Sequence, residues 1–331
     1  MWPFSSRCQS KARLIGKTVV ITGGNTGIGK ETARDLYRRG ARVILACRNL
    51  EKANEAAEDV RKNPPSRPDL EQFKGAPGES VVCTLTLASL ASVRECAKKL
   101  NASEPRIHLL INNAGVMMCP KEKTEDGYEM QLQSNHLGHF LLTLLLLPRI
   151  KAAASEGARI INVSSMAHIS GRMNFDDLNL EKSYSPMIAY QQSKLANVLF
   201  TTELARKLKD ARIEGITTYS LHPGVVSTEL GRHLDKSMFP GARLFFTVFK
   251  PFIKTPELGA QTSIHCAVDE TAAQETGLYY KECRVSSPAS QANSKEDAER
   301  LWWESLKLVG LPQKENLAEL LEVISSEILL A

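Results

Sequence analysis

Short runs of β-branched and aliphatic residues alternate along this chain with longer segments in which apolar positions return every three or four residues. The runs at 17–22, 42–47, 81–86, 108–112, 159–164 and 216–221 have the length and composition of buried strands, and the segments between them have the period of amphipathic helices. Parallel neighbours need crossover connections, so six alternations predict an α/β fold, a doubly wound parallel sheet with helices on both faces. The stretch 63–80 breaks the rhythm with four prolines and two glycines and reads as an inserted surface loop before the third strand. No internal repeat or shift of composition marks a second domain. One domain is therefore expected over 16–310, between a basic arm at 1–15 and a helical tail at 311–331.

Charge narrows the partners. Lys and Arg number 42 against 37 Asp and Glu, a net charge of +5, and the excess is spread without a block of five or six cations, so nucleic acid is not an expected partner. The seven cysteines are an odd number with no Cys-x-x-Cys pair, a pattern that fits reduced thiols in an intracellular protein better than a disulfide framework or a zinc site. The most apolar stretch, 137–147, contains His139 and stops at Pro148, and eleven residues cannot span a bilayer. The arm carries Arg7, Lys11 and Arg13 without an acid, which leaves open a mitochondrial presequence, a surface anchor through Trp2 and Phe4, or a frayed polar tail. The expected location is cytosolic or peripheral on an endoplasmic reticulum or mitochondrial membrane.

The first chemical signal follows the first strand directly: Thr22-Gly23-Gly24-Asn25-Thr26-Gly27-Ile28-Gly29, then a helix. Glycines at a strand-to-helix turn let backbone approach a pyrophosphate, which sits on the N–H groups at the positive end of the helix. Gly24 to Lys30 also satisfies half of a triphosphate-binding loop, but that loop needs a Ser or Thr next for magnesium, and this chain has Glu31. A Rossmann-like dinucleotide site remains. At the end of the second strand, Ala46-Cys47-Arg48 offers no acid for a ribose 2′-hydroxyl, whereas Arg48 suits a 2′-phosphate; NADP(H) is the expected cofactor.

Tyr190-Gln191-Gln192-Ser193-Lys194 lies within a helical pattern, and four residues put Tyr190 and Lys194 on one face. An ammonium beside a phenol lowers its pKa toward the neutral range that acid–base work needs. The pair has company in Asn162-Val163-Ser164-Ser165, Asn112-Asn113-Ala114-Gly115 and Ser134-Asn135-His136.

With these motifs in order, followed by His222-Pro223-Gly224, the sequence resembles the short-chain dehydrogenase/reductase family from about Gly16 to Gly310. Within that family it is most similar to the retinol dehydrogenases, through Ala46-Cys47-Arg48-Asn49, Asn135-His136-Leu137-Gly138-His139-Phe140, the Met166-Ala167-His168 that follows Ser165, Ser193-Lys194-Leu195-Ala196-Asn197 and Leu221-His222-Pro223-Gly224-Val225-Val226. The resemblance implies that Tyr190 is the acid/base, Ser165 polarises the substrate carbonyl, Lys194 binds the nicotinamide ribose and tunes the tyrosine, and Asn135 holds a water linking Lys194 to solvent. It implies cofactor contacts from Gly23, Asn25, Thr26, Gly27, Ile28, Gly29, Arg48, Asn49, Asn112, Ala114, Gly115, Tyr190, Lys194, Pro223, Gly224, Val226 and Thr228. Two departures stand out. Thr86-Leu87 replaces the usual Asp-Leu that reads the adenine amino group, and no long apolar N-terminal anchor is present.

The expected function is interconversion of an apolar alcohol with its aldehyde or ketone, retinol and retinal being the leading class. A broad carbonyl reductase for steroids or lipid aldehydes and a non-catalytic NADP-binding scaffold are the alternatives. The stretch 228–256, with four phenylalanines in 245–252 between Arg243 and Lys254, is expected to cover the substrate or touch a membrane. His136 and His139 are three apart rather than four, so no metal is expected. Trp302-Trp303 reads as packing, and 141–147 as a buried helix face, open to sharing with a second subunit.

Overall fold

The structure, a computed structural model, describes residues 6–226 and 253–330, with side chains to 326. Among the described residues eight strands form one sheet: β1 (Thr18–Thr22), β2 (Arg42–Cys47), β3 (Glu79–Thr84), β4 (Leu109–Asn112), β5 (Ala158–Val163), β6 (Ile216–His222), β7 (Leu278–Lys281) and β8 (Arg284–Val285). Their order is β3-β2-β1-β4-β5-β6-β7-β8, parallel throughout except for the terminal β7–β8 hairpin. This is the doubly wound sheet that the alternation predicts, extended by two strands. β7 and β8 escaped because four residues and two residues are too short to show a period, and β8 is exposed. The third strand begins two residues earlier than expected, which leaves Thr86 and Leu87 beyond its end.

Helices α1 (Gly27–Arg38), α2 (Leu50–Lys62) and, later in the chain, α7 (Pro256–Val268) cover one face of the sheet. The other face is covered by α3 (Leu90–Ser103), α5 (Gly138–Lys151), α6 (Pro186–Asp210), α8 (Lys295–Leu308) and α9 (Leu317–Leu330). A short α4 (Met130–Leu132) runs into α5 through a π turn at Gln133–Leu137. Local chemistry explains the boundaries: α2 buries Ala53, Ala56, Ala57 and Val60 at helical spacing, starts on an Asn49 side-chain cap and ends with Arg61 and Lys62 at its negative pole.

The apolar run 141–147 is fully interior, sandwiched within this chain by α3 and by α9 through Leu317, Leu320, Leu321 and Ile324. It therefore offers no face to a second subunit. Trp302 packs between Phe140 and Phe200, as expected of a core residue. The arm is not frayed over its described part: Cys8 and Leu14 are buried, and Arg39, buried beside Asp35, donates to the carbonyls of Ser10 and Ala12. None of the seven cysteines forms a disulfide. No helix among the described residues is long and apolar enough to cross a membrane.

Of the five histidines buried among the described residues, three are held furthest from their ordinary titration range. Burial pulls His136 and His222 down to about 3 and His139 to about 4, below the ordinary 6.5. As pH falls past 6.5 the unfolded chain takes up protons that the folded chain refuses, so stability is lost as acid is added, up to ~1.4 kcal/mol per histidine per pH unit. Urea midpoints should fall steeply between pH 6.5 and 5; a flat midpoint over that window would contradict this burial.

Candidate active site

The sheet reverses its winding between β1 and β4, and a cleft of about 420 Å³ opens there beyond the carboxyl ends of the strands. Gly23 and Gly27 take left-handed backbone (φ 65° and 53°), which turns the chain sharply from β1 into α1. A side chain at Gly29 would meet the carbonyl of Gly23 at 2.4 Å, so only glycine lets α1 start this close to β1. Thr26 supplies no side-chain cap to α1 and the first turn holds no acid. The N–H groups and positive pole of α1 are therefore left for an anion.

At the other end of the cleft stand Arg48 and Lys52, both exposed, and neither side chain has a salt-bridge partner among the described residues. No lining residue is acidic: besides Arg48 and Lys52, Asn25, Thr26, Asn49, Thr86, Asn113 and Ser134 are polar and the rest apolar or glycine. The cleft suits a dinucleotide.

Thr22 ties this turn to its surroundings. Its Oγ1 accepts the N–H groups of Asn113 and Ala114, both at 2.9 Å, and lies 2.8 Å from His139 Nε2. His139 Nδ1 faces the carbonyl oxygen of Asn135 at 3.0 Å, and a carbonyl only accepts, so Nδ1 carries the proton and Nε2 accepts the Thr22 hydroxyl. The neutral state that burial imposes on His139 permits this arrangement.

Ser164 and Ser165 follow β5 and divide their work. Ser164 is buried and donates to the Lys194 carbonyl at 2.7 Å, fixing β5 to α6. Ser165 is partly exposed and its hydroxyl faces Tyr190. Two neutral histidines hold the Ser165 loop. His168 Nε2 accepts from Ala289 N at 3.1 Å, so its Nδ1 donates to the Ser165 carbonyl at 2.6 Å. His222 Nδ1 accepts from Met166 N at 3.3 Å, and burial, with Lys281 and Lys254 nearby, keeps that ring uncharged.

Lys194 is buried. Its Nζ donates to the Val163 carbonyl at 3.1 Å and lies 5.7 Å from the Tyr190 ring centroid. Burial brings it down to about 8 and pushes Tyr190 up to about 12, the Ser165 hydrogen bond opposing the latter. The lowered phenol expected from the Tyr-x-x-x-Lys spacing is thus corrected: desolvation of a phenolate raises Tyr190, only the Ser165 hydrogen bond opposes it, and Tyr190 keeps its proton at neutral pH. Asn135 sits in the π turn, donating through Nδ2 to Val116 O and Ser193 Oγ and accepting Val116 N through Oδ1. A side chain at Gly115 would lie 3.1 Å from that Oδ1 and 3.5 Å from Lys194 Nζ, so both groups converge over a glycine.

Of the residues anticipated from sequence, Gly23, Asn25, Thr26, Gly27, Ile28, Gly29, Arg48, Asn49, Ala114 and Gly115 line the cleft. Asn112 does not: its amide is spent on Thr143 and Asn162 inside the sheet, and its neighbour Asn113 lines the cleft instead. Pro223, Gly224 and Val226 follow the end of β6, while Thr228 and most of the 228–256 stretch lie outside the described residues. Lys52, Met130 and Ser134 were missed, although Lys52 is readable as one helical turn beyond Arg48. His168 and His222 were missed as supports because a histidine's partners depend on tertiary packing.

Comparison with known proteins agrees with this geometry. The family described as short chain dehydrogenase matches residues 17–238. Retinol dehydrogenase 13 of Homo sapiens is 50% identical over 312 residues, covering 92% of this chain and 88% of that protein. Retinol dehydrogenase 11 of Homo sapiens is 48% identical over 308 residues, covering 93% and 90%. Among solved structures, an uncharacterised protein from Mycobacterium Paratuberculosis is 34% identical with a TM-score of 0.70, covering 90% and 95%. The Pseudomonas aeruginosa RhlG/NADP active-site complex is 26% identical with a TM-score of 0.61, covering 84% and 96%. Since the family match runs from β1 past the end of β6 and the relatives align over almost the whole chain, this chain belongs to the short-chain dehydrogenase family of alcohol and carbonyl oxidoreductases.

Proposed function

We propose that the chain uses NADP(H) to interconvert an apolar alcohol with its aldehyde or ketone, retinoids being the leading class. The observation that carries the cofactor choice is the cleft of one charge sign: Arg48 and Lys52 have no carboxylate beside them, so a 2′-phosphate gains two cations whereas a bare ribose gains no acceptor. The NADP named for the RhlG complex supports the same reading. For the substrate, Met166 and Ile169 beside Ser165, Met187 and Ile188 just before Tyr190, and Val225 beyond Gly224 are all exposed large hydrophobics. Apolar side chains left in water near the two hydroxyls fit an apolar ligand better than a sugar. The names of the human relatives make retinol and retinal the first candidates.

In this reading Gly23, Asn25, Thr26, Gly27, Ile28 and Gly29 hold the pyrophosphate with backbone. Arg48 and Asn49 flank the adenosine ribose, and Thr86 stands where an acid reads adenine in related enzymes. Ala114, Gly115, Pro223, Gly224 and Val226 border the nicotinamide half. NADP(H), when bound, supplies or accepts the hydride. Ser165 donates to the substrate oxygen and steadies its developing charge, a task for which prealigned donors are effective. Tyr190, protonated at neutral pH, gives its proton to that oxygen in the reducing direction. Lys194 bonds the nicotinamide ribose and, as an ammonium close to its titration range, passes a proton back to Tyr190. Asn135 has one Oδ1 acceptor site left after Val116 and offers it, facing Gly115 and Lys194, to the relaying water.

Tyr190→Phe should lower kcat by about 10²- to 10⁴-fold while NADPH still quenches tryptophan fluorescence with nearly the wild-type affinity, because only the transferable proton is removed. Retention of most of the wild-type kcat would refute the assignment. Arg48→Ala should weaken NADPH by about 1.5–3 kcal/mol, roughly ten- to a hundredfold, and NADH far less. Wild-type protein that binds NADH more tightly than NADPH would contradict the cofactor reading.

A further inference from the structure

The β7–β8 hairpin turns on two residues, Glu282 and Cys283, both in left-handed backbone with φ of 52° and 54°. Lys281 pairs with Arg284, so these two are the central residues of a turn that ordinarily selects Asn-Gly. Other residues hold this conformation only where their surroundings over-determine it, and such places gather at functional sites. Here the surroundings are specific. Glu282 Oε1 lies 2.5 Å from Lys254 Nζ, its Oε2 accepts from Ser6 N at 3.3 Å, and Cys283 N donates to Thr262 Oγ1 of α7 at 3.3 Å.

Lys254 carries the constraint onward. It is 5% exposed, its N–H donates to the Val225 carbonyl at 2.8 Å, and it forms a single parallel bridge with Val226. Its stem lies against Gly224, where a Cβ would sit 2.8 Å from Lys254 Cδ and 2.9 Å from Cε. Val226 in turn packs over Gly259 of α7 beside Ile28, since a Cβ at Gly259 would lie 2.6 Å from Val226 Cγ2 and 3.2 Å from Ile28 Cγ1. Ile28 stands in the first turn of α1 and lines the cleft. A continuous path of contacts thus joins the Glu282 turn to the anion-binding end of α1.

We propose that Lys254 and Glu282 are positioning residues for the cofactor: their ion pair fixes the backbone from Gly224 to Val226 against the start of α1, so that this stretch meets the nicotinamide half in one register. The proposal rests on the NADP(H) reading above. One bridge does not set register by itself, and an apolar contact in place of the pair would pack without direction; a charge pair between a rigid turn and a buried stem gives the direction. Glu282 and Lys254 touch neither Arg48 nor the reacting hydroxyls, so they should govern how tightly either dinucleotide binds, but not the choice between them.

The test titrates NADPH and NADH into Glu282→Gln, Lys254→Met, the double variant and Arg48→Ala, with melting temperatures measured alongside. Glu282→Gln and Lys254→Met should each weaken both cofactors by about tenfold and by the same factor, as expected for one charge-assisted bond. The NADPH to NADH ratio stays at the wild-type value, whereas Arg48→Ala changes it. The double variant should be no weaker than either single, and the pH profile of kcat at saturating cofactor should not move. Cys283→Gly, which relieves the left-handed strain and keeps the pair, should raise the melting temperature without changing affinity. Glu282→Asp, gentler on folding, should weaken binding less than Glu282→Gln. Unchanged cofactor affinity in Glu282→Gln with a lowered melting temperature would overturn the proposal, because the pair would then hold the fold alone. A failure of the cofactor reading shows separately, in wild-type protein that binds NADH more tightly than NADPH or binds neither dinucleotide.

Discussion

The hydroxyl of Thr22 is the point on which both halves of the site depend. It accepts two backbone N–H groups from the Asn113-Ala114 turn and donates to His139, which uses its other nitrogen on the Asn135 carbonyl. One donor and two acceptor sites are all used, which is the full capacity of a hydroxyl. The glycine turn proposed to hold phosphate and the π turn that carries Asn135 are in this way referred to one atom at the end of β1. Burial makes the arrangement exacting, because a protonated His139 would turn its acceptor into a second donor facing a hydroxyl already committed to two others.

Charge follows a complementary logic. The cleft is positive and open, with the pole of α1 at one place and Arg48 and Lys52 at another, while the proposed catalytic pair, Tyr190 and Lys194, is buried and hydrogen-bonded. Desolvation keeps Tyr190 a phenol and brings the Lys194 ammonium down toward its titration point. The histidines around Ser165 stay neutral and act through geometry, holding the serine loop by its backbone.

Much of this was legible in the sequence because it is local. Strand runs, helix period and the Gly-x-x-x-Gly-x-Gly spacing are properties of neighbouring residues, and each is dictated by backbone geometry; the same holds for Tyr190 and Lys194 one helical turn apart. Long-range facts were not legible. Asn112 and Asn113 look equivalent on paper, yet the pleat sends one into the sheet and the other to the cleft. The ionisation of Tyr190 was misjudged because spacing reports a neighbouring charge and says nothing of burial. β7 and β8 were missed because a two-residue strand has no period, and the Glu282 turn lacks the glycine that usually announces a hairpin.

The claim that one hydroxyl unites cofactor binding with the proton-relay residues is tested most directly by Thr22→Val, which keeps shape and removes the hydrogen bonds. NADPH affinity and kcat would be measured on the same folded sample. Leaving two N–H groups and a histidine acceptor without their partner costs about 1–3 kcal/mol for each buried group, so both quantities should fall together by at least about tenfold. Wild-type values for both in a folded Thr22→Val protein would contradict the account.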